Sequence, residues 1–379
     1  MDGPQERLIA LTEIKLECLS CFPAPPGSLG LWLLPSGSSR ILVQGPSQPN
    51  GVSIDSCQET DSGGDQLSGP GPSGGRMRIA INASAELLHG DIGRLREHAA
   101  SAAEDGFTGW WLAQTGLVDA LTVFPAVADT APGIEFGTAV IPTFPRHPTM
   151  LAAQALTTQA VLGDRSLVLG IGLSHKPVVE GYLGMSFDRP IRHLIDYLEV
   201  LVPLLTDGRV DYDGEAFTTH FDSVRPAHRT PSVMVAALGE QALRVSGRRT
   251  DGTILWMVGP RTIEDHIRPR LVASADSANR ASPRIVCSLP ICVTDDAHGV
   301  REAANQVFAV YGQLPSYRAM LDREGVQHPG EVAVIGNEEE VSVQLGELEQ
   351  AGATEFSALE FGRSSDEFAR TREFLKGFL

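Results

Sequence analysis

The side chains able to do chemistry in this sequence are sparse, and most follow apolar runs of strand length. His147 stands in the proline-punctuated stretch Pro142–Pro148, and His175 stands just after Gly170-Ile171-Gly172. A histidine can give or take a proton near neutral pH. His175 is the stronger candidate, because His147 precedes Pro148 and can instead serve to set the loop conformation. Gly239-Glu240-Gln241-Ala242 opens a helical stretch directly after an apolar run. Free backbone N–H groups at such an end, backed by the helix dipole, favour a phosphate; a plain β-to-α turn also commonly carries Gly there. Gly170-Ile171-Gly172 would let a planar ring approach the main chain, or it marks a tight strand end. Trp110-Trp111 and Trp256 read as packing residues, and Trp256, near a strand end, is also placed to wall a substrate pocket.

The elements that position these residues alternate. Ile134–Ile141 is β-branched, Thr149–Leu162 is apolar on one face without internal Gly or Pro, and Ser166–Ile171 is a buried-type strand. This βαβ unit sits within a series of eight predicted strands: Arg78–Ala83, Phe107–Ala113, Ile134–Ile141, Ser166–Ile171, Ser232–Ala237, Gly252–Val258, Arg284–Val293 and Thr354–Phe361. Predicted helices include Asp91–Asp105, with Ile92, Leu95, Ala99 and Ala102 on one face. Others are Ala120–Thr130, kinked or restarted at Pro125, and Arg189–Leu205, kinked or ended near Pro203. Asp213-Gly214 marks a hairpin in the excursion after strand four. Eight alternations in about 300 residues is the size of a (β/α)8 barrel. An open doubly wound sheet is the runner-up, but Asn82-Ala83-Ser84 replaces the Gly-rich turn expected after its first strand.

In such a barrel the site lies at the strand C-termini. The strand ends offer Asn82 and Ser84, then Gln114 and Thr115, then Thr138, Ala139, Val140, Arg146 and His147. Strand four supplies Gly172, Ser174 and His175; strand five Gly239, Glu240 and Gln241; strand six Trp256. No carboxylate pair, metal-ligand cluster or Ser/His/Asp order stands out among them. The rim thus suits a bound cofactor that carries the reaction itself, with no metal.

Composition sets the outer limits. The chain has 379 residues, 42% hydrophobic and 20% charged, and a formal net charge of -17. That balance argues against nucleic acid and anionic membrane as partners. Five cysteines are few and odd in number, so a reducing cytoplasm is expected, and Cys18-x-x-Cys21 lacks the second pair that a redox or zinc reading needs. Residues 1–76 form a separate Pro/Gly/Ser-rich extension, expected to be disordered, with no signal-peptide pattern. The folded domain is expected over 77–379, and Met77 offers an alternative start.

Six motifs then occur in order: Phe136-Gly137-Thr138-Ala139-Val140, Arg146-His147-Pro148, Leu169-Gly170-Ile171-Gly172, Gly214-x-x-Phe217, Val235-Ala236-Ala237-Leu238-Gly239 and Asp251-Gly252. Their order and spacing over 77–379 resemble the bacterial luciferase-like monooxygenase superfamily, most closely its coenzyme F420-dependent branch. The resemblance implies a (β/α)8 TIM barrel with an insertion after strand four, usually a homodimer. It implies a non-prolyl cis peptide at Ala139–Val140, forming a bulge behind the deazaflavin ring. Thr138, Ala139, Val140, Gly172 and Ser174 would bind the cofactor at its ring, and Gly239, Glu240 and Gln241 at its phosphate. The implied reaction is hydride transfer between F420 and a small organic substrate, with His175 as proton donor or acceptor and Gln114, Thr115, His147 and Trp256 about the substrate pocket. Gln114-Thr115 replaces an Asp-His or Glu-His pair of several relatives, which removes a candidate acid. The alternatives are an FMN-dependent monooxygenase with a partner reductase, and a flavin- or deazaflavin-binding protein without turnover.

Overall fold

The computed structural model describes residues 76–226 and 228–379. The expected disordered extension, apart from Arg76, and the Cys18-x-x-Cys21 spacing lie outside the described residues. Eight parallel strands follow one another around a closed barrel: β1 (Arg78–Asn82), β2 (Gly109–Leu112), β3 (Glu135–Thr138), β4 (Leu167–Gly172), β5 (Ser232–Val235), β6 (Gly252–Trp256), β7 (Arg284–Val293) and β8 (Glu355–Glu360). Closure is made where β8 pairs with β1, from Arg78↔Glu355 to Ile81↔Ala358. The helices that follow them are α1 (Ile92–Glu104), α2 (Ala120–Val127), α3 (Pro148–Leu162), α4 (Pro190–Asp207), α5 (Glu240–Arg249), α6 (Arg268–Asp276), α7 (Glu338–Ala351) and α8 (Ser365–Lys376). An accessory strand, Val334–Gly336, extends from the far end of β7. The insertion after β4 carries the antiparallel hairpin Arg209–Asp213/Thr218–Asp222, turning at the expected Asp213-Gly214.

Strand alternation sorts side chains to the two faces of the barrel wall. Ala80, Trp111, Val168, Met234, Ile254 and Val286 form a cluster of their own inside, with Ala139 and Val140 packed on it. Their neighbours Ile79, Ile81, Trp110, Leu169, Val233, Val235 and Leu255 belong to the larger core under the helices. Trp111 fits inside only because β3 has no side chain at Gly137, where a Cβ would stand 2.3 Å from the indole ring. Its Nε1 donates to the buried Glu355 carboxylate at 2.7 Å. Arg284 then reaches Glu135 at 2.7 Å and Glu355 at 2.9 Å, and Arg78 reaches the same two carboxylates at 3.3 and 3.4 Å. All four charged residues belong to the first strand positions, so the ion cluster closes the N-terminal end of the barrel.

Several sequence expectations shift at the ends of elements. Strand three breaks after Thr138 and resumes as Ile141–Pro142, paired to Ile171–Gly172. Pro125 lies within α2, which passes to a 3-10 turn at Ala128–Thr130, and α4 runs through Pro203 to Asp207. Ile92 is 43% exposed, whereas Leu95, Ala99 and Ala102 are buried. The first turn of α1 begins beyond the edge of the core. Among the described residues no helix is long and apolar enough to cross a membrane, and no group of His, Cys, Asp or Glu is arranged to hold a metal ion.

The ion cluster makes a stability prediction. Arg284→Met leaves Glu135 and buried Glu355 facing Arg78 alone, and should cost about 3 kcal/mol at pH 8. Burial already holds the Glu355 pKa up against the pull of Arg284 and Arg78, and without Arg284 it rises further, so the folded variant takes up the extra proton at a higher pH than the parent chain. The deficit should therefore shrink as pH falls from 8 to 5. Urea unfolding at both pH values measures it; a deficit independent of pH would show that Arg78 alone keeps Glu355 ionised.

Candidate active site

The floor of the rim is built by main chain and by missing side chains. The Ala139–Val140 peptide is cis, as the resemblance implied. Ala139 N–H donates to Leu112 O at 2.8 Å, and Val140 O accepts from Gln114 N–H at 3.2 Å. Thr138 is buried, and its Oγ1 donates to Gly170 O at 2.8 Å. These bonds push Ala139 and Val140 inward as a bulge on the interior cluster. β4 passes this bulge only as glycine. A Cβ at Gly170 would stand 1.9 Å from Thr138 O, and one at Gly172 would stand 2.7 Å from the Val140 side chain.

Beyond Gly172 the chain turns sharply. Ser174 is left-handed, with φ 60°. His175 follows as the residue before a short helix, Lys176–Gly181. The His175 carbonyl accepts from Val178 N–H and Val179 N–H, while its ring makes no cap bond. The half-buried ring lies 5.4 Å from the Tyr317 ring, and burial pushes its pKa below the ordinary histidine value. The imidazole is therefore neutral at pH 7.

The end of β5 supplies a different kind of group. Gly239 precedes α5 without any side-chain cap. The N–H groups of Gly239, Glu240, Gln241 and Ala242 donate to no protein acceptor among the described residues. Gly239, Glu240 and Gln241 are exposed, and a Cβ at Gly239 would meet nothing within 4 Å. The Glu240 carboxylate is turned to Arg244, one helical turn on. An anion placed here would meet several unpartnered donors at a helix N-terminus.

At the end of β6, Trp256 packs edge-on against Phe308 and Tyr311, with centroids 5.7 and 5.9 Å away, and Tyr311 against Tyr317 at 4.9 Å. An arc of rings thus runs Trp256–Tyr311–Tyr317–His175. The Trp256 Nε1 is buried and has no partner among the described residues. Tyr311 and Tyr317 were not singled out in the sequence, since they lie in a helical connection between β7 and β8 that carries no motif.

Other candidates are occupied structurally. The Gln114 amide donates to Gly116 O and Val118 O and accepts from Ala120 N–H, so it folds its own loop and caps α2. Thr115 beside it is exposed. His147 is exposed, and its Nδ1 accepts from Thr149 N–H at 3.3 Å, so it caps α3. Arg146 binds Asp119 and Gln154. Asn82 bridges Ser84 and Ser288, tying the end of β1 to the middle of β7. A cleft of about 340 Å³ bounded by Phe144, Arg189, Arg192, His193, Glu215 and Phe217 contains none of the predicted site residues. There His193 stacks on Phe144 at 4.0 Å and bonds Thr143 Oγ1, with burial pushing its pKa down to about 4.

The electrostatics of His175 can be measured directly. Its imidazole should titrate below 6.5 in the cofactor-free chain, because burial opposes the cation. An NMR titration, with the signal assigned by its loss in His175→Asn, tests this. A midpoint at or above 6.5 would mean that the ring is solvated or has an anionic neighbour.

Four similarities to known proteins bear on this geometry. An uncharacterized protein of Mycobacterium tuberculosis is 26% identical over 268 residues, covering 66% of this chain and 77% of that one. A protein of Nocardia farcinica named F420-dependent glucose-6-phosphate dehydrogenase is 29% identical over 237 residues, covering 59% and 70%. The fold matches the structure of an F420-dependent secondary alcohol dehydrogenase in complex with an F420-acetone adduct. The TM-score is 0.66 at 16% identity, over 80% of this chain and 98% of that one. The family model for luciferase-like monooxygenases matches residues 73–355. With its closed barrel, insertion after β4 and glycine-lined rim, the chain belongs to the luciferase-like monooxygenase family of enzymes.

Proposed function

We propose that this enzyme is a coenzyme F420-dependent oxidoreductase acting on a small organic substrate at the C-terminal rim. The observation that carries the reading is the set of unpartnered amides at Gly239–Ala242, on the same rim as the glycine-lined Ala139–Val140 bulge. The first suits a phosphate and the second a flat ring, and a phosphorylated deazaflavin has both. The similarity to a named F420-dependent dehydrogenase supports the choice among flavin-type cofactors. When bound, the deazaflavin supplies hydride transfer at its carbon 5.

The chain's own residues then have separable tasks. The Ala139–Val140 bulge gives the ring a shaped apolar back wall, and Gly172 lets main chain take the place of a side chain beside it. The amides of Gly239–Ala242 hold the phosphate through hydrogen bonds and the dipole of α5. His175, neutral at rest, accepts the substrate proton during oxidation or returns it during reduction. Trp256, Tyr311 and Tyr317 exclude water from one side and favour a substrate with apolar surface. A Gln has no ionisable proton, so position 114 offers no acid, and because His147 is exposed and caps α3, His175 is the proton carrier beside the ring arc.

The test is a titration of the full chain with F420 and, separately, with FMN, followed by tryptophan fluorescence. F420 should bind more tightly. Gly239→Asp should weaken that binding by about tenfold or more through like-charge repulsion; unchanged affinity would remove the phosphate assignment. Preference for FMN would move the chain to the flavin monooxygenases that give the family its name. With a substrate found by following F420 absorbance, His175→Ala should lower turnover by about 10²–10⁴-fold and leave cofactor affinity nearly unchanged. Full turnover would exclude His175 as the proton carrier.

A further inference from the structure

Behind the helix end at Gly239 lies a histidine that the reading above does not use. His266 is 4% exposed and belongs to a π turn, Ile263–Ile267, in the helical run that follows β6. Its Nε2 stands 2.8 Å from the carbonyl oxygen of Leu238. A carbonyl can only accept, so Nε2 carries the proton. The other ring nitrogen, Nδ1, is buried and has no partner among the described residues. A second proton there would be an unsatisfied buried donor, and burial pushes the pKa of the ring down. His266 is thus a neutral donor with one fixed direction.

That direction matters because of peptide geometry. The Leu238 carbonyl and the Gly239 N–H belong to one planar unit, and in a trans peptide they point opposite ways. Fixing the carbonyl toward His266 turns the Gly239 N–H away from it. The same N–H is the first of the four unpartnered donors at the start of α5. Gly239 has no side chain to restrict its own peptide, and no side chain caps the helix. The His266 bond is the one side-chain hydrogen bond to this peptide plane among the described residues.

We propose that His266 is a positioning residue for phosphate binding: by donating to Leu238 O it locks the Leu238–Gly239 peptide with the Gly239 N–H aimed at the phosphate of the bound cofactor. This rests on the phosphate reading of Gly239–Ala242. A ring that merely fills space would behave differently from a directional donor, and two amide variants separate the roles. The carboxamide nitrogen of Gln reaches about as far as Nε2, whereas that of Asn stops near the place of Nδ1.

The experiment measures affinity of the full chain for two ligand pairs, F420 against its phosphate-free deazaflavin nucleoside, and FMN against riboflavin. The readout is the preference for the phosphorylated member of the pair that binds. His266→Asn should lose about tenfold of this preference while binding the phosphate-free ligand as before, and His266→Gln should keep it within about twofold. An Asn variant that keeps the preference overturns the proposal. So does a Gln variant that loses as much as Asn, or an Asn variant that weakens both members of the pair equally. A wild-type chain with no preference in either pair would instead overturn the phosphate reading itself, and the role of His266 with it.

Discussion

An indole inside the barrel sets the terms for much of this structure. Trp111 fills the interior of an eight-stranded barrel, where close packing tolerates neither a void nor an extra methyl group. Its bulk requires Gly137 on the neighbouring strand. Its buried N–H requires an acceptor, and Glu355 supplies one. A buried carboxylate in turn requires cations, so Arg284 and Arg78 follow, with Glu135 completing the cluster. The lower barrel is a chain of such obligations. Above it, Ala139 and Val140 rest on the same interior cluster, so the packing around Trp111 sets the height at which the rim floor lies.

The two ends of the candidate site differ in material. The floor and the helix end at Gly239 are made of main chain: Gly170 and Gly172 are buried against the bulge, and Gly239 is exposed at the helix start. The arc Trp256–Tyr311–Tyr317–His175 is made of side chains. This division suits a net charge of -17. An anion can be held by amide dipoles at a helix start without a lysine or arginine in contact, in a chain with few lysines to offer.

The fold was legible in the sequence because burial imposes simple periods. The run Arg284–Val293 matches its observed bounds, and the hairpin turns at Asp213-Gly214 as its residue types require. Breaks that depend on tertiary fit were harder to see. The apolar run at 134–141 reads as one strand, yet it divides at a cis peptide seated against Gly170 and Gly172. In the site, the glycine motifs pointed to main-chain approach, while the polar side chains misled. Gln114 and His147 are residue types that do chemistry, but their bonds are local, to the loop and to the helix start that follow each of them. His266 shows the reverse. Its contact with Leu238 spans 28 residues and ends on a carbonyl, so no motif marks it.

The main-chain character of the helix start at Gly239 also bears on how such a protein can change over generations. Backbone amides survive nearly every codon change at Glu240 or Gln241, since replacing those side chains leaves the N–H groups in place. The ring arc has no such protection, because each of its members can be exchanged by altering one codon. Inherited variation is therefore buffered at Glu240 and Gln241, though not at Gly239 or His266, while the proposed substrate end stays open to it. On the proposed reading, the ring arc can thus vary one residue at a time while the helix start keeps its amides.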